Sequence, residues 1–192
     1  MNERVIVIGA SAGGLNVLMA IAQGLPSDFQ LPIIVAQHIS PLSDGFWISY
    51  LDGMSYLTVK EADEKERIEK KTMYIAPPNY HLLVEKDETF SLSVGEKINY
   101  ARPSIDVLFE SAADVYRHRL IGVVLTGSSS DGAIGLRTIK ACGGLAIVES
   151  PDTAEYSYMP EAVIAATEVD YILPIEEIIR LFITINRQQY PT

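Results

Sequence analysis

Ser11, His38 and Asp131 are the residues whose types and settings point to chemistry in this chain. Ser11 is the centre of Gly9-Ala10-Ser11-Ala12-Gly13, a Gly-x-Ser-x-Gly pattern between a β-branched run at 5–8 and a helix expected over 15–21. A tight strand-to-helix turn of small residues raises a serine hydroxyl clear of a sheet and leaves room for a reacting carbonyl. The amides of Ala12 and Gly13 then fall in the first helical turn, where N–H groups lack intrahelical partners and suit a developing oxyanion. Two other readings of the pentapeptide stay open. Gly9, Gly13 and Gly14 also suit a phosphate-binding turn, although Ser11 stands where Gly-x-Gly-x-x-Gly needs its second glycine. Ser11 is otherwise a plain helix N-cap, with the glycines allowing close packing.

A serine nucleophile needs a base, and the base needs an orienting acid. Of the three histidines, His38 directly follows the apolar run that starts at Pro32, at the carboxyl end of a strand where open α/β sheets place their ligands. His81 begins an expected hairpin strand and His118 sits in a charged helix end; both are ordinary settings for structural or surface histidines. Asp131 lies in the loop after the apolar run 120–125, among Gly127, three serines and Gly132. Its ordinary alternative is the N-cap of a helix over 133–141, and the two roles are compatible. The order Ser–His–Asp differs from the Ser–Asp–His order of α/β-hydrolases and argues against that fold.

The elements that must position these residues alternate along the chain. Strands are expected at 5–8, 32–36, 56–59, 73–76, 120–125, 145–148 and 171–173. Helices are expected at 15–21, at 45–51 after a break at Pro41, and at 103–115 with Pro103 in the first turn. Further helices follow at 133–141, 160–166 and 176–185. Runs 81–85 and 89–94, separated by Lys86-Asp87-Glu88, read as a β-hairpin, and charge-dense 60–71 reads as a solvated edge or loop. Unbroken apolar strands alternating with helices indicate an α/β fold: a doubly wound, mainly parallel, Rossmann-like sheet with an antiparallel hairpin at one edge. No repeat, low-complexity tract or long linker divides residues 1–192, so one domain is expected.

Composition narrows the classes further. With 48% hydrophobic and 21% charged residues the chain has ordinary globular usage. A formal charge of −10 argues against a nucleic-acid binder, and Arg117-His118-Arg119 reads as a helix C-terminus complementing its dipole. No apolar run approaches the ~20 residues of a membrane span, and Met-Asn-Glu-Arg does not begin a signal peptide. The single cysteine, Cys142, excludes an internal disulfide or a multi-cysteine metal site, and no chemistry is assigned to it. Together these features indicate the cytoplasm.

Six segments extend the pattern. They are Val7-Ile-Gly-Ala-Ser-Ala-Gly-Gly14, Val35-Ala-Gln-His38, Tyr74-Ile-Ala-Pro-Pro78 with His81, and Arg102-Pro-Ser-Ile-Asp-Val-Leu-Phe109, followed by Val124-Leu-Thr-Gly-Ser-Ser-Ser-Asp-Gly-Ala133 and Glu155-Tyr-Ser-Tyr-Met-Pro160. In this order and spacing, from about residue 4 to about residue 184, the chain resembles the catalytic domain of chemotaxis protein-glutamate methylesterases, often called CheB. The resemblance implies a doubly wound α/β domain with a triad of Ser11, His38 and Asp131. It also implies hydrolysis of glutamate γ-methyl esters on chemoreceptor helices, with glutamine deamidation in many members. No metal or organic cofactor is implied. The implied partners are a methylated chemoreceptor or related coiled-coil protein, and a receptor methyltransferase or separate receiver protein.

Around the triad, Ala12, Gly13, Gly127 and Ser128 are expected to border the oxyanion site. Arg102 and Met159 are candidates for substrate contact, against the plainer readings of a surface arginine and a core methionine. Two departures stand out. Gly127-Ser128-Ser129-Ser130-Asp131-Gly132 replaces the family's Gly-Met-Gly-x-Asp-Gly, and Ala12 stands where threonine is usual. The chain also opens on the catalytic strand, whereas the family usually carries an N-terminal receiver domain, which implies constitutive action or control by another chain, unless the sequence is a fragment of a larger protein. The altered Ser128-Ser129 loop motivates the rival reading, a non-catalytic signalling module of the same fold that binds a receptor or methyltransferase.

Overall fold

Apolar and amphipathic segments alternate in the sequence, and the structure alternates with them. The computed structural model describes residues 3–40 and 45–191; the expected break at Pro41 and the first two residues lie outside these. The first half runs β1 (Val5–Ala10), α1 (Gly14–Gly24), β2 (Ile33–Gln37), α2 (Phe46–Met54), β3 (Thr58–Glu61), β4 (Thr72–Ile75), β5 (His81–Val84) and β6 (Phe90–Ser93). It continues with α3 (Ile105–Tyr116), β7 (Leu120–Val124), α4 (Ala133–Ala141), β8 (Leu145–Glu149), α5 (Tyr158–Ala166), β9 (Tyr171–Leu173) and α6 (Ile175–Gln189).

Seven strands form one sheet in the order β3-β4-β2-β1-β7-β8-β9, and each neighbouring pair is parallel. The winding reverses at β1: β2, β3 and β4 lie on one side of it and β7, β8 and β9 on the other. Such a switch point opens a crevice at the carboxyl ends of the strands. Strands β1, β2 and β7 are buried along their whole length, which is why they read as unbroken apolar runs. Their side chains still alternate between two cores. Val5 and Val7 join Ile105, Phe109, Leu136 and Val163 of α3, α4 and α5. Ile6, Ile8 and Ala10 join Leu18, Ile48 and Phe182 of α1, α2 and α6. The doubly wound α/β architecture is therefore present.

Three details differ from the expectation. The hairpin β5–β6 is a two-stranded sheet of its own and does not extend an edge of the large one. Leu82, Val84 and Phe90 bury one face of it in the core that α3 shares, and Phe90 meets Tyr74 edge-on at 4.9 Å between ring centroids. Pro103 precedes α3 instead of occupying its first turn, because Ser104 is the N-cap and its Oγ accepts the Val107 N–H. The strand expected at 56–59 runs on through Lys60 and Glu61, which pair with Tyr74 and Ile75 as the end of β3, an edge strand of the sheet, so that the start of the segment read as a solvated edge or loop is edge. Residues Arg117–Arg119 close α3 as a short 3-10 turn. Among the described residues no helix is long and apolar enough to cross a membrane.

Candidate active site

The central strands β2, β1 and β7 each lead into one of the three singled-out residues. Main-chain pairing continues past the strand ends: the Ser11 N–H donates to the Thr126 carbonyl and the His38 N–H to the Ala10 carbonyl, each at 3.0 Å. The Ser11 hydroxyl faces His38 Nδ1 at 3.2 Å, and His38 Nε2 lies 2.9 Å from Asp131 Oδ2. With Nε2–H donated to the carboxylate, Nδ1 is left as the acceptor for the serine proton. The two ring nitrogens thus exchange the roles they have in chymotrypsin-type triads. The His38 side chain is 16% exposed and that of Asp131 is wholly buried, so the line runs from the surface into the core.

The turn around Ser11 is shaped by missing side chains. Gly13, not Ser11, is the N-cap of α1, at φ 77° and with no side-chain hydrogen bond. That left-handed conformation costs a non-glycine residue about 1–2 kcal/mol. A Cβ on Gly9 would lie 2.3 Å from Cγ2 of Ile105, and one on Gly127 would lie 2.9 Å from Cβ of Ser11. Gln37 Nε2 donates to the carbonyls of Ser11 (2.8 Å) and His38 (2.9 Å). The Thr126 hydroxyl donates to the Ala12 carbonyl at 3.0 Å and accepts the Tyr156 N–H at 2.8 Å. These contacts fix the carbonyls of the turn, while the N–H groups of Ala12 and Gly13 have no acceptor among the described residues. The Gly127 N–H does have one, the Tyr156 carbonyl at 3.0 Å, so Gly127 supplies room and not a donor.

Asp131 does not cap α4, whose N-cap is Gly132 at φ 96°. It caps α3 instead. Its Oδ2 accepts the Ile105 N–H at 2.7 Å beside the His38 bond. Its Oδ1 accepts from the Ser104 hydroxyl (3.0 Å), the Asp106 N–H (3.1 Å) and Asn99 Nδ2 (3.4 Å). Burial works against the ionised form, but the bonds from His38, Ile105 and Asp106 outweigh it and hold the carboxyl below its usual range. One layer further back, the Ser104 N–H donates to His81 Nδ1 at 3.1 Å, and His81 Nε2–H donates to the Glu96 carbonyl at 2.9 Å. His81 is thus a buried, satisfied histidine, and His118 lies just before β7, at the other end of the sheet.

A cleft of about 610 Å³ opens beside His38, walled by Asn99, Tyr100, Arg102, Ser128, Ser129 and Tyr158 among others. Arg102 borders it, but its guanidinium braces the segment before it. It donates to Asn79 Oδ1 (2.7 and 3.2 Å) and to the carbonyls of Val94 (2.8 Å) and Gly95 (2.7 Å). Met159 is a correction: it is fully buried, with its N–H on the Gly127 carbonyl, and supports that turn from beneath without reaching the rim. Among the described residues no three His, Cys, Asp or Glu side chains converge with metal-ligand geometry. The sequence reading missed Gln37, Asn99, Ser104, Asp106 and Thr126. Gln37 and Thr126 carried a usable signal, each being a polar residue at the end of an apolar strand.

A serine, an imidazole and a buried carboxylate in line at the switch point of a parallel sheet form the arrangement used by serine hydrolases. Residues 6–182 match the CheB methylesterase family, and the chain belongs to it. A relative from Leptospira interrogans serogroup Icterohaemorrhagiae serovar copenhageni (strain Fiocruz L1-130) is 54% identical over 187 residues, 97% of each chain. Its provisional name is protein-glutamate methylesterase/protein-glutamine glutaminase. The Thermotoga maritima protein-glutamate methylesterase/protein-glutamine glutaminase is 38% identical over 181 residues, and this chain spans about half (53%) of its length. The crystal structure of the Thermotoga maritima CheB methylesterase catalytic domain is 36% identical, with a TM-score of 0.91 over 95% of this chain and 98% of that one.

Proposed function

We propose that this chain hydrolyses glutamate γ-methyl esters of a chemoreceptor or related coiled-coil signalling protein, with Ser11 as nucleophile, His38 as base and Asp131 as orienting acid. The observation that carries the proposal is the hydrogen-bonded line from Ser11 Oγ through His38 to Asp131. Ser11 Oγ attacks the ester carbonyl as His38 Nδ1 takes its proton. The tetrahedral oxyanion is met by the N–H groups of Ala12 and Gly13, with Ser128 at the border of that site. The bond to the methoxy oxygen then breaks, the imidazolium returns the proton, and methanol leaves a glutamyl ester on Ser11. Water, deprotonated by His38, attacks this ester, and Ser11 leaves with the proton to free the glutamate carboxylate.

Asp131 holds the Nε2–H tautomer and stabilises the imidazolium without taking the proton, a role suited to a carboxyl held below its usual range. The same steps on a glutamine carboxamide release ammonia, so deamidation fits the same machinery. Neither reaction calls for a metal or an organic cofactor. In a chain of net charge −10, the cleft residues include Lys97 and Arg102, which suits an acidic polypeptide segment. The cytoplasm is the expected compartment, with a receptor methyltransferase or a separate receiver protein as further partners.

Methanol release from methylated receptor, wild type against Ser11→Ala, tests the proposal. The substitution is expected to lower the rate by about 10⁴-fold or more. Undiminished release by Ser11→Ala overturns it. Labelling of Ser11 by a fluorophosphonate, lost in His38→Ala, separates this reading from a binding module without activity.

A further inference from the structure

Behind Asp131 stands a second buried carboxylate, Asp106, which is only 3% exposed. Its Oδ1 accepts the N–H groups of Gly132 (2.9 Å) and Gly135 (2.7 Å), at the start of α4. Asp131, in the loop that leads into α4, accepts the N–H groups of Ile105 and Asp106 at the start of α3. Each helix therefore begins on a carboxylate that belongs to the other. The helices cross closely, for a Cβ on Gly135 would lie 2.5 Å from Cβ of Phe109. A single amide joins the two acids: Asn99 Nδ2 is 3.2 Å from Asp106 Oδ2 and 3.4 Å from Asp131 Oδ1. Asn99 sits in the turn closed by the Ile98–Ala101 bridge, where φ is 51° at Asn99 and 63° at Tyr100. Two successive left-handed residues make this a tight I′-like turn. It hangs Tyr100, 97% exposed, at the cleft while its neighbour reaches the buried acids.

We infer that Asp106 is a positioning residue for the Asp131–His38 pair, acting through the reciprocal caps and the shared Asn99 amide, and that its charge strengthens the hold of Asp131 on the imidazolium. This rests on the triad reading above. Among the described residues the groups that face Asp106 are few. The Asp131 carboxylate faces it from the acid loop, with His38 beyond; the Gly132 and Gly135 N–H groups face it from α4, the Asn99 amide from the turn, and Glu110 from α3 itself. Burial, aided by the charge of Asp131 and opposed by the Gly135 and Gly132 N–H groups, pushes the Asp106 carboxyl up to about 6. Above that pH two negative charges back the imidazolium; below it Asp106 is neutral and Asp131 acts alone.

Asp106→Asn mimics the neutral form and keeps an oxygen for both α4 N–H groups. The measurement is the second-order rate of Ser11 phosphonylation by a fluorophosphonate from about pH 5 to about pH 9. The wild type is expected to exceed Asp106→Asn by about ten-fold above pH 7, with the two profiles converging on the acid side. A ratio that is constant across the range, whether one or larger, overturns the inference, because a purely structural loss does not depend on pH. Asn99→Ala provides the second arm, since it removes the bridging donor and leaves both caps. It is expected to move the acid-side fall of the profile to higher pH, and an unmoved profile counts against the inference even if Asp106→Asn does not fold. Labelling retained by Ser11→Ala or His38→Ala would instead sink the triad reading, so the two failures are distinguishable.

Discussion

Helices α1 and α3 bring their N-termini to the same histidine from two sides, and they are completed in opposite ways. At α3 the cap is Ser104, and a carboxylate from a different loop, Asp131, accepts the N–H groups of Ile105 and Asp106. At α1 the cap is Gly13, with no side-chain hydrogen bond. There Gln37 and Thr126 hold the carbonyls of Ser11 and Ala12, and the N–H groups of Ala12 and Gly13 meet no acceptor among the described residues. Both ends carry the positive pole of a helix dipole. One is matched to an anion that is always present and that, in the proposed mechanism, orients the base. The other suits an anion that exists only while the carbonyl is tetrahedral, which is the kind of interaction that speeds a reaction instead of tightening substrate binding.

Removing the permanent anion is the severest way to break this contrast. Asp131→Asn is expected to lower kcat by about 10⁴-fold by favouring the wrong imidazole tautomer. Methanol release would show it, and a loss under ten-fold would mean that Asp131 serves only to cap α3.

The next effect is one of pH on stability. The Asp106 carboxyl is raised from 3.8 to about 6 in the folded chain. A raised carboxyl binds its proton more tightly folded than unfolded, so folding gains as pH falls from about 6 towards 3.8 and loses that gain on the way back. Wild type should therefore lose on the order of 2 kcal/mol relative to Asp106→Asn between about pH 4 and pH 6, as read from urea midpoints. Asp131, held low, contributes in the opposite sense: its share is present above the ordinary carboxylate range and is lost as pH falls through its folded value. A gap between wild type and Asp106→Asn that moves the other way would mean that Asp106 is stabilised as an anion.

Smaller effects test the two helix ends against each other. Gly13→Ala places a side chain at φ 77° and 3.0 Å from Glu155 Oε2, and should cost about 1–2 kcal/mol of stability. Ser104→Ala removes the α3 cap and one donor to Asp131, at about 1 kcal/mol. Comparing the two by thermal unfolding and by Ser11 labelling sharpens the contrast. The first variant should impair labelling by moving donors of the oxyanion site, and the second by loosening the acid.

How far the sequence reveals all this depends on the range of each interaction. Buried parallel strands announce themselves as apolar runs, and the bounds of α4 and β9 match the expected spans. Ser11, His38 and Asp131 stand out as candidates because each follows such a run. The helix that the Asp131 carboxylate caps does not stand out: the alternative to its role as acid puts it on the helix next to it in sequence, and it caps one that begins 26 residues earlier. Asp106 looked like one polar position among Ile105, Leu108 and Phe109. Its role depends on the crossing of α3 with α4, which no local pattern encodes. What Arg102 and Met159 touch was hidden for a related reason. Position near a site was visible, but the carbonyls that occupy the guanidinium and the depth at which the methionine lies belong to tertiary packing.

The main-chain bonds from Ser11 to Thr126 and from His38 to Ala10 have a kinetic consequence. They tie the Ser11 turn to the three central strands, the part of such a sheet that opens only when the whole molecule opens. Exchange of these two amide protons with deuterated solvent should then be as slow as that of the β1 core. On this account the site should have no melting transition of its own, and loss of activity in denaturant should track global unfolding and not precede it.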